Sequence, residues 1–299
     1  MRQADHKPVE LSVTRVFVTG AAGRLGATIV SAFQDRQVIA HTRASLDITD
    51  ADAVSRAVAT ARPDAIINCA AFNDVDGAES APVAALAVNA FAPRNLARAA
   101  RDSGAVLVHY GTDFVFDGRA SQPYDEMATP SPQSTYAASK LLGEWFALDA
   151  PQAYVLRVES LFGAAHGWTG RVGTLDNIIA GIEAGRDVRV FTDRVVSPSY
   201  VPDIAAATRH LVLTAAPRGL YHCVNAGQAT WYDVARAAAD LLRVTPKLVP
   251  VSVRDVQMKA RRPQFCALSP AKLAAAGFSM PSWQDGLRRC LSDRAHPAA

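Results

Sequence analysis

Residues 15–26 read R-V-F-V-T-G-A-A-G-R-L-G, a short β-branched run that passes into three glycines spaced G-x-x-G-x-x-G. Residues 15–20 predict a strand. Residues 25–33, apolar at helical spacing, predict a helix that begins inside the glycine motif. A strand that turns directly into a helix in this way presents backbone N–H groups to a phosphate. The stretch therefore predicts a dinucleotide-binding turn built by Gly20, Gly23 and Gly26, together with Arg24 and Leu25.

Strand-like apolar runs alternate with helix-like segments through the first 160 residues. The predicted strands are 15–20, 38–41, 65–70, 105–111 and 154–158, and the predicted helices are 25–33, 52–61, 82–100 and 135–148. Apolar strands separated by helices are typical of a parallel sheet that is covered on both faces. We therefore expect an α/β protein with a Rossmann-type, doubly wound parallel sheet and a smaller C-terminal α/β substrate lobe.

The alternation becomes less regular after residue 160, where glycines cluster at 163, 167, 170 and 173. We expect a mobile tail at 1–13, a dinucleotide-binding domain at 14–160 and a substrate-binding lobe at 161–299. Segments near 188–225 are expected to rejoin the first domain. Within the lobe, the predicted strands are 188–191 and 220–225, the predicted helices are 174–184, 202–213, 231–242 and 283–291, and 248–253 is an extended run.

Composition excludes several classes of protein. The 31 Lys and Arg residues against 28 Asp and Glu give a net charge of only +3 in 299 residues, without a basic cluster, so no nucleic-acid partner is expected. No apolar run is long enough to span a membrane. The four cysteines are far apart and no histidine group has ligand spacing, which predicts a cytoplasmic protein without disulfides or a metal site. A requirement for Mg²⁺ is left open.

The end of the second predicted strand distinguishes between dinucleotides. An acid about 20 residues beyond the first glycine holds a ribose 2′-hydroxyl, whereas an arginine there accepts a 2′-phosphate. Counting from Gly20 reaches His41, Thr42 and Arg43. The sequence therefore favours NADPH over NADH, with Arg24 as a second positive charge and Asp47 and Ile48 near the adenine. Solvated surface arginines, and NADH, are the alternatives.

Tyr136 and Lys140 are four residues apart on a predicted helix, and Thr112 follows the fourth strand. A Tyr–Lys pair at this spacing is usually an ordinary surface pair. Here the carboxyl end of the sheet is expected to bring all three side chains to the crevice that holds the glycine turn. Tyr136 would then protonate a ketone oxygen. Lys140 and the nicotinamide charge would lower its pKa, and Thr112 would donate a hydrogen bond to the same oxygen.

With these motifs the chain resembles the extended short-chain dehydrogenase/reductase superfamily, and within it the dTDP-4-dehydrorhamnose reductase family. The resemblance extends from about residue 15 to residue 291. The segments that carry it are 18–26, 46–50, 68–79, 88–89, 112–118, 123–144, 156–157, 262–263 and 277–287.

The resemblance implies NADPH-dependent reduction of the C4 ketone of a deoxysugar carried on a nucleotide diphosphate, as in dTDP-rhamnose biosynthesis. It implies Thr112, Tyr136 and Lys140 as the catalytic set and Asn68, Ala70 and Ala71 along the cofactor path, with Asn89 behind the site. It also implies a nucleotide-sugar partner and allows a homodimer. The substrate residues implied are Thr112, Asp113, Phe114, Tyr136, Ser160 and Arg262, the last at the diphosphate.

Three departures from the family pattern concern the substrate side. Phe114 replaces a residue that is usually Tyr in the family, and Ser160 replaces a Trp and follows Glu159. Ala137 stands at a position where Gly is common. Two alternatives therefore stay open. One is a nucleotide-sugar epimerase or 4,6-dehydratase, although a dehydratase typically has Asp-Glu directly after the Thr, and here Asp113 is followed by Phe114. The other is a non-catalytic regulatory subunit resembling the beta subunit of methionine adenosyltransferase.

Overall fold

The computed structural model describes residues 13–165, 168, 170 and 172–295. Six strands form one sheet in the order β10-β5-β4-β3-β1-β2, and every neighbouring pair is parallel. These strands are β1 (Arg15–Thr19), β2 (Gln37–His41), β3 (Ala65–Asn68), β4 (Val106–Thr112), β5 (Ala153–Val158) and β10 (Gly219–His222). The expected α/β fold class with a parallel central sheet is confirmed.

Helices cover both faces of this sheet because its strands are apolar on both sides. Val16 and Val18 of β1 face one layer, whereas Phe17 faces the other. The first layer is α1 (Arg24–Ala32) and α8 (Val201–Leu213). The second layer contains α2 (Ala51–Ala61), α5 (Ala92–Ser103) and α6 (Thr135–Leu148).

The strand order reverses at β1, which pairs with β2 on one side and β3 on the other. At such a point the chain connections that follow two neighbouring strands run to opposite faces of the sheet. This leaves a crevice beyond the carboxyl ends of the strands. The turn after β1 and the residues after β2 and β3 therefore lie around one crevice.

A second lobe has its own apolar core. Its helices and strands are β6 (Leu161–Phe162), α7 (Thr174–Glu183), β7 (Asp187–Phe191), β8 (Val195–Val196), β9 (Ser199–Tyr200), β11 (Ala229–Thr230), α9 (Trp231–Leu242), β12 (Lys247–Val251) and α11 (Trp283–Ala295). Helix α10 (Ala271–Ala275) packs instead on the central sheet, where Leu273 is buried in the core of the first layer. The segment near 188–225, expected to rejoin the first domain, divides. Strand β7 pairs with β12, whereas α8 and β10 join the central sheet and its helical layer.

Three local features differ from the sequence-based expectations. Most of the expected mobile tail lies outside the described residues, but Val13 is buried because its apolar side chain joins the core under β1. A short helix, α3 (Val75–Ser80), was not predicted, because six residues with Gly77 in the middle carry little helical signal. The predicted helix 82–100, in which Pro93 is expected to mark a break or a new first turn, consists of α4 (Pro82–Leu86), a π-helical turn at Ala87–Phe91, and α5. Pro93 does lie in the first turn of α5, but the π turn before it is not predicted.

Among the residues described, no helix is both long and apolar enough to cross a bilayer.

Candidate active site

The glycine turn requires its first and third glycines for different reasons. Gly20 has φ +68°, and a Cβ there would lie 2.6 Å from Ala70 N. A Cβ on Gly26 would overlap the carbonyl oxygen of Gly20, so only glycine lets α1 begin this close to β1. The turn is therefore built by close backbone approach, as the motif predicts.

A cavity of about 490 Å³ opens beside this turn. Among its lining are several predicted cofactor residues: Gly20, Gly23, Arg43, Asp47, Ile48, Ala70 and Ala71. Its volume lies within the range of sites that hold small organic ligands. Glycine backbone at one wall and Arg43 at another suit a phosphate-bearing dinucleotide, so the residues present fit the cofactor that the sequence predicts.

Other predicted cofactor residues support the cavity from behind. Leu25 is buried in the core, and Asn68, also buried, accepts a hydrogen bond from Thr19 Oγ1 (2.7 Å). The Asn68 side-chain amide lies 3.0 Å from His109 Nδ1. Asn68 therefore ties β1, β3 and β4 together at the edge where the crevice opens.

Arg24, a predicted cofactor residue, contacts the second lobe. Its guanidinium binds Asp176 of α7 (2.5 Å) and the carbonyl of Gly163 (3.2 Å), and it lies over the ring of Trp168. Asp176 comes 152 residues later in the chain, so the sequence gives no sign of this pairing. Arg24 joins the first layer of helices to the second lobe, and Arg43 is the arginine that lines the cavity.

Helix α6 brings Tyr136 and Lys140 to the same edge of the sheet. Ser134 caps the helix through the Ala137 amide, and Glu79 of α3 binds both the amide and the hydroxyl of Thr135. Tyr136 is buried against Phe72, which also lines the cavity. The predicted catalytic tyrosine therefore adjoins the predicted cofactor cavity.

The π turn positions the opposite wall of the site. Asn89 in this turn exchanges hydrogen bonds with the backbone of Phe72 (2.8 and 3.1 Å) and donates to Ser139 Oγ (3.0 Å). A Cβ on Gly143 would overlap the Asn89 carbonyl oxygen, so glycine in α6 admits the widened turn. Asn89 thus links the cavity wall to the catalytic helix.

The charges around Tyr136 and Lys140 differ from the expected arrangement. Burial lowers the pKa of Lys140 to about 8, against the opposing effects of Glu144 and Cys69, and its Nζ donates to the Tyr110 carbonyl (2.5 Å). Burial also raises the pKa of Tyr136, and Asp113 raises it further. Desolvation is the largest of these effects, so the free protein keeps a neutral phenol. That Lys140 and the nicotinamide charge together lower this pKa stays a prediction.

Thr112 ends β4 and is buried beside Tyr136. Its hydroxyl donates to Asp113 Oδ1 (3.0 Å) and accepts from the Phe114 amide (3.3 Å). The Thr112 hydroxyl opposes the rise in the pKa of the Tyr136 phenol. In the free protein the Thr112 proton is thus directed to Asp113, whereas the sequence predicts that it points to substrate.

A cluster that the sequence analysis missed lies beneath Thr112. Asp113, Glu159 and Cys266 are buried, with ligand atoms all within 4.8 Å of one another. Arg194 acts electrostatically on all three and lies over the Phe114 ring. Two carboxyls and a buried thiol are a poor set for Mg²⁺, which prefers oxygen ligands and retains water. Glu159 directly follows β5, a position that could have marked it, but nothing in the sequence indicates Arg194.

Three predicted substrate residues have well-defined surroundings. The Phe114 ring meets Tyr136 edge-on at 5.6 Å. Ser160 is half-buried with φ +46°, a strained conformation for a residue other than glycine. Arg262 is bound by Asp76 of α3 (2.8 Å), so a diphosphate would have to compete with that carboxylate for the guanidinium.

Known proteins resemble this chain along almost its whole length. The family model described as the RmlD substrate binding domain matches residues 14–295. A dTDP-4-dehydrorhamnose reductase of Mycobacterium tuberculosis H37Rv is 38% identical over 293 residues, with 94% of each chain covered. A dTDP-4-keto-6-deoxy-D-glucose reductase of Streptomyces niveus is 36% identical over 270 residues, covering 89% of this chain and 92% of the relative.

A solved structure is also similar over almost the whole length of the chain. It is a crystal structure of dTDP-4-dehydrorhamnose reductase from Bacillus anthracis in complex with NADP, with a TM-score of 0.88 and 31% sequence identity. The match covers 94% of this chain and 99% of that one.

Proposed function

This chain belongs to the RmlD substrate binding domain family, as its motifs predict, and we propose on that premise that it is an NADPH-dependent nucleotide-sugar reductase. Its reaction is reduction of the C4 ketone of a deoxysugar on a nucleotide diphosphate, as the names of its relatives indicate for those proteins. Two contacts of the cavity lining carry the proposal. Phe72 packs against the cluster that contains Tyr136, and Cys69 interacts electrostatically with Lys140.

The cavity residues hold the cofactor in this proposal. The glycine turn binds the pyrophosphate and Arg43 binds the 2′-phosphate. Asp47 and Ile48 lie beside the adenine. Bound NADPH supplies the hydride for the sugar carbon. The relative solved with NADP supports this choice of dinucleotide.

Tyr136 supplies the proton that reduction requires at the ketone oxygen. Burial raises its pKa, so it reaches the reaction protonated, which is the form a proton donor needs. Lys140, which donates to the Tyr110 carbonyl, places a positive charge near the phenolate that forms when the proton leaves. Thr112 lies beside the phenol and opposes the rise in its pKa.

The second lobe and the loop after β5 receive the sugar and its diphosphate. Phe114 and Ser160 present one ring and one small hydroxyl where the family pattern has Tyr and Trp. These departures change the surface offered to the sugar and leave Tyr136 and Lys140 in place. We therefore assign the same class of reaction, with a sugar specificity that these two positions modify. Arg262 contacts the diphosphate if Asp76 releases it.

A dehydratase activity fits the geometry less well. The structure does bring a second acid, Glu159, beside Asp113, but both side chains are only 3% exposed and Asp113 accepts from Thr112. An acid–base pair that removes water from a sugar must reach the substrate.

The test is turnover of purified protein with NADPH and a set of 4-keto nucleotide sugars that includes dTDP-4-dehydrorhamnose and dTDP-4-keto-6-deoxyglucose. We expect consumption of NADPH matched by formation of a 4-hydroxy deoxysugar, identified by mass and by NMR. An epimerase would rearrange the sugar without net consumption of NADPH. Binding of NADPH without turnover of any 4-keto sugar would overturn the proposal in favour of a regulatory subunit.

A further inference from the structure

Two buried carboxyl groups meet beneath Thr112, and the reaction proposed above does not use them. Asp113 begins the short 3-10 turn after β4, and Glu159 directly follows β5. Each is only 3% exposed, and their oxygens approach within 4.8 Å. Two ionised carboxylates this close in a dry site repel each other strongly.

Each carboxyl group has one satisfied oxygen and one without a partner. Asp113 Oδ1 accepts from Thr112 Oγ1 (3.0 Å), and Glu159 Oε2 accepts from the Ser197 amide (2.8 Å). Asp113 Oδ2 and Glu159 Oε1 are buried without a hydrogen-bond partner. Ionised carboxylates only accept hydrogen bonds, so neither group can donate to the other unless one of them carries a proton.

We propose that Asp113 and Glu159 share one proton, so that the pair carries a single negative charge, and that Glu159 thereby acts as a positioning residue for Thr112 and Tyr136. The role in turnover rests on the proposed reductase function, whereas the shared proton does not. The pair fixes the Asp113 carboxyl group that accepts from the Thr112 hydroxyl, and the Tyr136 phenol lies beside Thr112.

The surrounding groups support one proton on the pair. Burial raises the pKa of Asp113 to about 6 and raises the pKa of Glu159 well above its usual value. Arg194, before β8, opposes both shifts but makes no hydrogen bond to either acid among those described. Cys266 faces the pair as a neutral thiol, because burial and both acids raise its pKa. The phenol of Tyr136 faces it from α6.

Loss of the shared proton would act directly on catalysis. A second negative charge would appear next to Thr112 and close to Tyr136, and Asp113 already raises the pKa of the phenol. Tyr136 would become a weaker acid and Asp113 would move away from its charged neighbour. Glu159→Gln keeps N–H donors at this position that do not titrate, whereas Glu159→Ala supplies none.

The first measurement needs no turnover. Infrared difference spectra of chelator-treated protein at neutral pH should contain the C=O stretch of one buried protonated carboxyl group, which Glu159→Gln removes. Absence of this band in the parent protein, or its persistence in Glu159→Gln, would refute the shared proton. The shared proton would also be refuted if the protein contained one divalent metal ion per chain and Cys266→Ser lost this ion.

The second measurement compares two variants with the same loss of charge. We expect Glu159→Gln to keep kcat within about threefold at neutral pH and to move the alkaline limb of the kcat profile, while Glu159→Ala loses at least about tenfold at every pH. Equal losses in both variants, or an unmoved alkaline limb in Glu159→Gln, would overturn the positioning role. If Glu159→Ala does not fold, the spectra and the Glu159→Gln profile decide alone. If no sugar is turned over, the infrared result still stands by itself.

Discussion

At the scale of single residues, the site depends on which groups keep their protons. Tyr136 remains a phenol because burial makes the phenolate costly. Lys140 has a pKa lowered by the same burial to about 8, so its charge is sensitive to pH just above neutrality. The burial that keeps Tyr136 protonated therefore also lowers the pH at which Lys140 loses its positive charge.

Tyr136→Phe removes the proposed proton donor and leaves the glycine turn intact. Turnover should fall by at least about 10²-fold, because positioned proton transfer contributes this much. Affinity for NADPH, measured by fluorescence titration, should change little. A variant that turns over at the parental rate would exclude Tyr136 as the acid. Trp145→Ala, an exposed position on the same helix, is the control.

Arg43→Ala tests the choice of dinucleotide. Arg43 lines the cavity, and the loss of one charge-assisted hydrogen bond costs about 1.5–3 kcal/mol, or roughly 10- to 100-fold in affinity. NADPH binding should weaken by that factor, while NADH binding should change little. Arg24→Ala is the matched control, because Arg24 binds Asp176. Equal losses for both dinucleotides in Arg43→Ala would contradict the 2′-phosphate contact.

At the scale of elements, α6 is held to the sheet by one buried ion pair. Arg157 of β5 binds Glu144 of α6 with both Nε and Nη2 (2.8–3.1 Å), and its side chain is 3% exposed. Arg157 also lies over the Phe116 ring. Because α6 carries both Tyr136 and Lys140, this pair sets the distance of the catalytic helix from the sheet.

Arg157→Met leaves Glu144 as a buried charge without its partner. The free energy of unfolding should fall by about 3–5 kcal/mol in urea titrations. Asp35→Asn, which breaks the exposed pair with Arg209, should leave the free energy of unfolding nearly unchanged. Part of the loss should return when Glu144→Leu is added to Arg157→Met. Equal effects of the buried and exposed changes would show that the pair does not stabilise the fold.

At the scale of the whole molecule, stability depends on buried histidines that stay neutral. Burial, aided by Arg157, lowers the pKa of His222 to about 3, and burial lowers the pKa of His109 well below its usual range. The unfolded chain takes up a proton on each near pH 6.5. The unfolded state therefore binds more protons below that pH, and the free energy of unfolding falls as the pH is lowered toward 3.

His222→Gln removes one of these protons while an amide can still donate to the Tyr124 carbonyl. Between pH 5.5 and 4, within the window set by about 6.5 and about 3, its unfolding free energy should depend less steeply on pH. The difference should approach about 1.4 kcal/mol per pH unit. Urea titrations across this range measure both slopes. Parallel slopes for the two proteins would show that His222 is not held neutral.

The sequence by itself determined the features that depend on short-range periodicity. The glycine turn, the alternation of strands and helices, and the four-residue spacing of Tyr136 and Lys140 are all local. Backbone geometry within one strand or one helical turn fixes them. These patterns were sufficient to predict the parallel sheet, and the family followed from the same motifs.

Only the tertiary structure decided the contacts between distant parts of the chain. Arg24 turned out to bind Asp176, Asn89 to lie in a π turn, and Asp113 to meet Glu159 and Arg194 beneath Thr112. Each contact joins side chains from elements that come together only when the sheet and the second lobe pack. Burial then decides which of these groups keep a proton, because desolvation depends on all the surrounding elements at once and on no single stretch of sequence.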